Sequence, residues 1–224
     1  MRKINIIQYS LIGLVFLLTL GSCERPKEKA IGYDDIITVV CDDRNWEACE
    51  PILAQTLGKV YQTPPTETLY SFQRISPNDL NANILNKNLL ILTRLEEKSK
   101  VTPQVRSMLP DSTISNMREN PKGFYLQGDA YATGQALVVV VGKSLADLRN
   151  KLEINQDQIF NFIEHKMYER NTAFIYRSGE QFELAQKYFD QYGFYLRMMH
   201  DYVEIENRPK DKLVWLGRDF PYRW

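Results

Sequence analysis

Histidine is scarce in this chain, two residues in 224, and cysteine is limited to three. Scarcity of both leaves few ways to build a transition-metal centre, because zinc sites draw three or four ligands mainly from His and Cys at recognisable spacings. Neither His-Glu-x-x-His nor paired Cys-x-x-Cys occurs, so no metal is expected. Glycine-rich signatures are missing too. There is no Gly-x-Ser-x-Gly elbow, no Gly-x-x-x-x-Gly-Lys phosphate loop and no Gly-x-Gly-x-x-Gly turn, which removes the most readable hydrolase, nucleotide and dinucleotide classes. No cofactor is implied. Net charge is absent as well, with 28 Lys+Arg against 28 Asp+Glu, and a chain with no basic excess is not built to hold nucleic acid.

What is present begins at the N-terminus. Met1, Arg2 and Lys3 form a positive start, Leu11 to Leu20 an apolar core, and no charge interrupts Ile4 to Cys23. This is the pattern of a secretory signal peptide over residues 1–22. As a helix the ten apolar residues would reach about 15 Å, half of a bilayer's hydrocarbon thickness, so a permanent span is the poorer reading. Leu20, Gly21, Ser22 and Cys23 resemble a bacterial lipobox. That resemblance implies a diacylglyceryl group on the Cys23 thiol, cleavage before Cys23 and a further acyl chain such as palmitate on the new amino group. Two or more chains hold a protein firmly where one binds marginally. Removing Arg2 and Lys3 from the 28 basic residues leaves 26 against 28 acidic, a near-neutral mature protein. Residues 23–35 read as the lipidated cysteine and a polar tether. Its mixed charges favour the outer membrane facing the periplasm, with the cell surface as second choice.

From residue 36 onward the pattern predicts one α+β domain, 36–224, with a mixed sheet covered by helices on one side. Strands are expected over 36–41, 69–75, 88–94, 123–127, 135–141, 193–199, 202–205 and 212–218. Helices are expected from near Asn45, with Pro51 marking an uncertain start, from Ser76, from the capping pair Ser144 and Asp147, from Asn155 and beyond Gly179. Ile159, Phe160, Ile163, Met167 and Phe174, then Phe182, Ala185, Phe189 and Tyr192, recur at helical spacing and are expected to face a core. Segment 96–122, broken by Pro103, Pro110 and Pro121, reads as mobile loop with one or two helical turns. Residues 36–95 and 135–218 both read as strand, helix, strand, apolar strand, which suggests two repeated β-α-β-β units.

Candidate chemistry is thin. Cys41 and Cys49 are the candidates for a disulfide in an oxidising compartment, against buried thiols packing as small hydrophobes. His165 with Glu169 four residues on could share a helix face, but two ligands make no site. An envelope hydrolase would have to use His200, Asp201 and His165 brought into one cleft. Tyr188, Phe189, Tyr192, Phe194 and Tyr195 crowd around Gly193, as core or as an aromatic binding platform.

The lipobox, the segment Val39 to Glu47, the segment Tyr131 to Val138 and the segment Leu213 to Arg218 together resemble an uncharacterised lipoprotein family, a domain of unknown function typical of Bacteroidota. The resemblance implies location rather than mechanism: a lipid-anchored cell-envelope protein of unknown molecular function, a non-catalytic binding or assembly protein with an envelope protein or polymer as partner. Members continue past the Trp-Leu-x-Arg strand, so the resemblance also implies a C-terminally truncated member. An apolar edge left open there would favour self-association.

Overall fold

The computed structural model describes residues 26–62, 64–95 and 99–218. Cys23 and the aromatic end at Phe220, Tyr222 and Trp224 lie outside the described residues. The chain runs through β1 (Ile36–Val40), α1 (Asp43–Thr56), the small ribbon β2 (Val60–Tyr61) and β3 (Glu67–Thr68), β4 (Ser71–Ile75), a 3-10 turn (Pro77–Asp79), α2 (Leu80–Asn83) and β5 (Asn88–Thr93). It continues with α3 (Val101–Met108), α4 (Asp111–Glu119), β6 (Tyr125–Gly128), β7 (Ala136–Val141), α5 (Leu145–Ile154), α6 (Gln156–Ile175), α7 (Phe182–Tyr192), β8 (Val203–Arg208) and β9 (Leu213–Gly217).

Five strands form a mixed sheet in the order β4-β1-β5-β7-β6. β1, β4, β5 and β7 run parallel and β6 closes one edge antiparallel to β7. Every residue of β5 and β7 is buried, as continuous apolar runs require when both faces are covered. Both faces are indeed covered. Ile37, Val39, Leu90, Leu92, Val138 and Val140 pack under α1, α5 and α6, while Val40, Leu89, Ile91, Leu137, Val139 and Val141 pack under α2, α3 and α4. The α+β class therefore stands, but the helices are not confined to one side. The reason is the alternation of strand side chains: two faces equally rich in Val, Leu and Ile each need a partner layer.

Segment 96–122 supplies much of that second layer. Where the sequence reading expected loops, α3 and α4 form, with Val101, Val105, Leu109, Ile114 and Met117 buried against the sheet. Pro103 lies in the first turn of α3 and Pro110 is the residue before α4, both positions that need no helical N–H. Pro51, by contrast, sits inside α1. It is exposed there, so the Glu47 carbonyl it cannot satisfy can turn to water. Ser144 caps α5 as expected, its hydroxyl accepting from the Asp147 N–H at 3.1 Å.

The suggested repeat is not present in the topology. β1, β4 and β5 join one parallel sheet, whereas β8 and β9 pair antiparallel as a separate ribbon and residues 193–199 form no strand. That ribbon and α7 share a small core of their own, Ala185, Tyr188 and Met198 with Leu184, Tyr192, Val214 and Leu216. The inward stripe of α7 is thus displaced from the expected one: Phe182 and Phe189 are exposed, and so is Phe174 on α6.

Candidate functional site

At the end of the sheet where the parallel strands begin there is a cleft of about 670 Å³. Four segments build it. Asp34 stands just before β1, Lys87 and Asn88 open β5, the turn from Asp129 to Gly134 joins β6 to β7, and α6 presents Lys166, Glu169, Arg170, Phe174 and Arg177. Positions 166, 170, 173 or 174 and 177 recur every three or four residues, so one helix face lines the cleft. Arg170 ties all four segments together. Its Nε donates to Asp34 Oδ1 at 2.6 Å, Nη1 to the Gly134 carbonyl at 2.8 Å and Nη2 to Asn88 Oδ1 at 3.2 Å. Asn88 in turn donates to the carbonyls of Asp34 and Ile36. Lys87 Nζ reaches Asp34 Oδ2 at 2.7 Å, and Lys166 Nζ reaches Asp129 Oδ2 at 3.1 Å and Glu169 Oε2 at 2.8 Å. Two glycines make room. A Cβ on Gly128 would lie 2.9 Å from Lys166 Cε, and Gly134 has φ +84°, a conformation other residues adopt at a cost.

The electrostatics of the cleft are those of charges held charged. Burial pushes the Asp34 carboxyl up, but hydrogen bonds from Lys87 and Arg170 outweigh it and leave the group below the usual carboxylate range. Asp129 behaves alike: burial raises it, and the Gly134 N–H and Lys166 bring it below its ordinary value. The Lys166 bond lowers Glu169. Lys166 itself loses some affinity for its proton through burial and regains more from Glu169 and Asp129. Carboxylates so placed stay ionised at neutral pH and make poor proton donors, and the deep cations are engaged by the chain. Lys29 and Arg177 at the rim are free of ion-pair partners among the described residues, with Arg177 lying over the Phe174 ring at 4.3 Å.

Residues 30–175 match a family known only as a domain of unknown function, DUF8532. The chain belongs to that family. No curated protein and no solved structure matches the chain. The family region ends with α6 and so takes in the five-stranded sheet, both of its helical layers and the cleft residues from Ala30 to Phe174, leaving Lys29 and Arg177 at the rim just outside it. It stops short of α7 and the β8–β9 ribbon. Of the segments that carried the resemblance, Tyr131 to Val138 forms the cleft turn and β7, Val39 to Glu47 crosses from β1 into α1, and Leu213 to Arg218 lies beyond the family region.

Outside the cleft, the residues singled out from sequence do not form one site. His165 Nε2 pairs with Glu169 Oε1 at 3.0 Å on an exposed face of α6. Among the described residues no third ligand-type side chain joins them. Asp201 pairs with Arg218, and His200 is exposed beside Gly179, to whose carbonyl its backbone N–H donates at 3.1 Å. Among the described residues no ion pair joins His165 to either: its partner is Glu169, and that of Asp201 is Arg218. Cys41 and Cys49 are free thiols, fully buried in the core under α1, so the candidate bridge is not formed in this structure. Burial pushes Cys41 up to about 12 and Cys49 up to about 11, which suits packing rather than nucleophilic chemistry. Of the aromatic group, Tyr188 is fully buried, while Phe189, Phe194 and Tyr195 keep exposed surface.

Ligands of open parallel sheets usually sit at the other end, beyond the strands' carboxyl termini. Here polar groups at that end bond to one another: Ser99 to Asp42, Arg74 to Asp43, and Arg94 Nε to Asn45 Oδ1 at 2.9 Å. The sequence reading did not single out Asp34, Lys87, Lys166 or Arg170. The spacing of Lys166, Glu169 and Arg170 is the one local signal that could have flagged them, and it is shared by many solvated helix faces.

Proposed function

We propose that the chain is a lipid-anchored cell-envelope lipoprotein, attached through Cys23 to the outer membrane and facing the periplasm, that works as a non-catalytic binding or assembly protein. The positive start, the short apolar core and the lipobox support the anchor, as does the resemblance to lipoproteins typical of Bacteroidota. No helix of the described residues is long and apolar enough to cross a membrane.

The observation that carries the binding role is the outer face of the β8–β9 ribbon. Glu204 turns inward to Lys187 and Tyr188, while Val203, Ile205 and Trp215 remain 51%, 43% and 44% exposed. An apolar face on a ribbon whose two strands pair only with each other among the described strands suits contact with an envelope protein or polymer, or with a second copy through the C-terminal edge. Metabolic labelling with a fatty acid tests the anchor: wild type takes up label and Cys23→Ala does not. Equal labelling of the two overturns it.

A further inference from the structure

The chain upstream of β1 does not hang free. The Ala30 N–H donates to the Thr133 carbonyl at 2.9 Å and the Thr133 N–H to the Glu28 carbonyl at 2.8 Å. The Ile31 N–H reaches the Leu85 carbonyl and the Lys87 N–H reaches Ile31, each at 2.9 Å. Lys27 Nζ clamps the carbonyls of Asp129 at 2.6 Å and Ala130 at 3.1 Å. The segment expected to lift the domain off the membrane is therefore bound, from Lys27 onward, to the strand-start end of the sheet beside the cleft. Cys23 is four residues before Lys27, and four residues span at most about 14 Å.

A short leash fixes an orientation. An acyl group on Cys23 keeps that residue at headgroup level, so the docked end of the sheet must lie within the same reach of the bilayer surface. The side chains there suit an interface. In the docked segment Ile31 is 53% and Tyr33 73% exposed, and at the cleft mouth Phe174 is 64% exposed beneath Arg177, with Lys29 beside it. Aromatic rings with basic neighbours are the composition of membrane-interface contacts. Glu28, Asp34, Asp35, Asp129 and Glu169 nearly balance the basic groups at this end, so charge alone would not hold the protein to a membrane. The acyl anchor attaches and the surface orients.

We propose that the mouth of this cleft rests on the phospholipid headgroups, with Lys29 and Arg177 toward lipid phosphates and Ile31, Tyr33 and Phe174 at the headgroup level. This rests on acylation of Cys23. The opposite end, with the loops after β1 and β5, then faces away from the membrane.

The test uses the full acylated chain reconstituted into vesicles of phosphatidylethanolamine and phosphatidylglycerol. An environment-sensitive dye is attached at Tyr33→Cys, with Lys29→Cys as a second reporter, or at Lys122→Cys, which precedes β6 at the far end of the sheet. Cys41 and Cys49 are buried and do not compete for the dye. Nitroxide-labelled headgroups are expected to quench the Tyr33 and Lys29 dyes several-fold more than the Lys122 dye. Equal quenching at both ends, on protein that floats with the vesicles, overturns the orientation while sparing the anchor. Protein that fails to float overturns the anchor and the orientation with it.

Discussion

Arg170 carries more of this structure than its place in the sequence suggests. Truncating it leaves Asp34 with one cationic partner and frees the Gly134 carbonyl and Asn88 at once. Arg170→Ala is expected to cost about 1 to 3 kcal/mol in chemical denaturation, short of a fully buried pair because Asp34 keeps part of its exposure. Arg170→Lys should recover little, since an ammonium cannot reproduce the three-way fork. The pH dependence has a definite sign. Asp34 has a lowered folded value, so its contribution is complete above the ordinary carboxylate value near 3.9 and is lost as pH falls through the lowered one. Stability curves of wild type and Asp34→Asn should therefore converge below about pH 4. Lys151 is a second such residue. Its amine, fully buried, donates to the carbonyls of Met117 at 2.6 Å, Val141 at 2.8 Å and Arg118 at 3.2 Å. Lys151→Met keeps the volume and leaves those carbonyls unpaired, and a loss of about 1 to 3 kcal/mol is expected by urea titration.

At the scale of elements, α3 and α4 show why a polar, proline-marked segment can still be structure. Only one side of each is apolar. Val101 and Val105, then Ile114 and Met117, fall three or four residues apart and meet the sheet, while Pro103, Arg106 and Ser107 of the first helix and Ser115, Asn116, Arg118 and Glu119 of the second face water. If this layer is integral, Ile114→Ala should cost about 2 to 4 kcal/mol, as for other core truncations, and shift the whole unfolding transition. A loss confined to local protease sensitivity would mean that the layer folds apart from the sheet. α6 works differently: its first half buries Ile159, Phe160 and Ile163 in the core, and its second half turns Lys166, Glu169 and Arg170 into the cleft. One helix thus links the packing of the sheet to the charged end.

For the molecule as a whole, the two cores of the sheet draw on residues between Ile37 and Ile163, whereas the core of α7 and the ribbon draws on residues between Leu184 and Leu216. The family region covers the first body and not the second. If the apolar ribbon face is the association surface proposed above, light scattering of the full chain is expected to show species larger than a monomer, and Trp215→Lys to reduce them. A monomer that is stable and unaffected by Trp215→Lys would remove the ribbon as a self-association surface.

Composition, periodicity and local signals were sufficient for the strand cores of β1, β5 and β7, the cap at Ser144 and the start of α6, because each rests on neighbours in sequence. Which faces those strands bury, the helical nature of 101–119, and the inward stripe of α7 depended on what lay opposite. The cleft is the extreme case: Asp34 and Arg170 are separated by 136 positions and meet only because β1, β5 and β7 start at one end and α6 folds back across it. An ion pair at that separation leaves no periodic trace. The apolar pattern determined that there would be a buried sheet, and only its tertiary closure decided which charges would converge at its end.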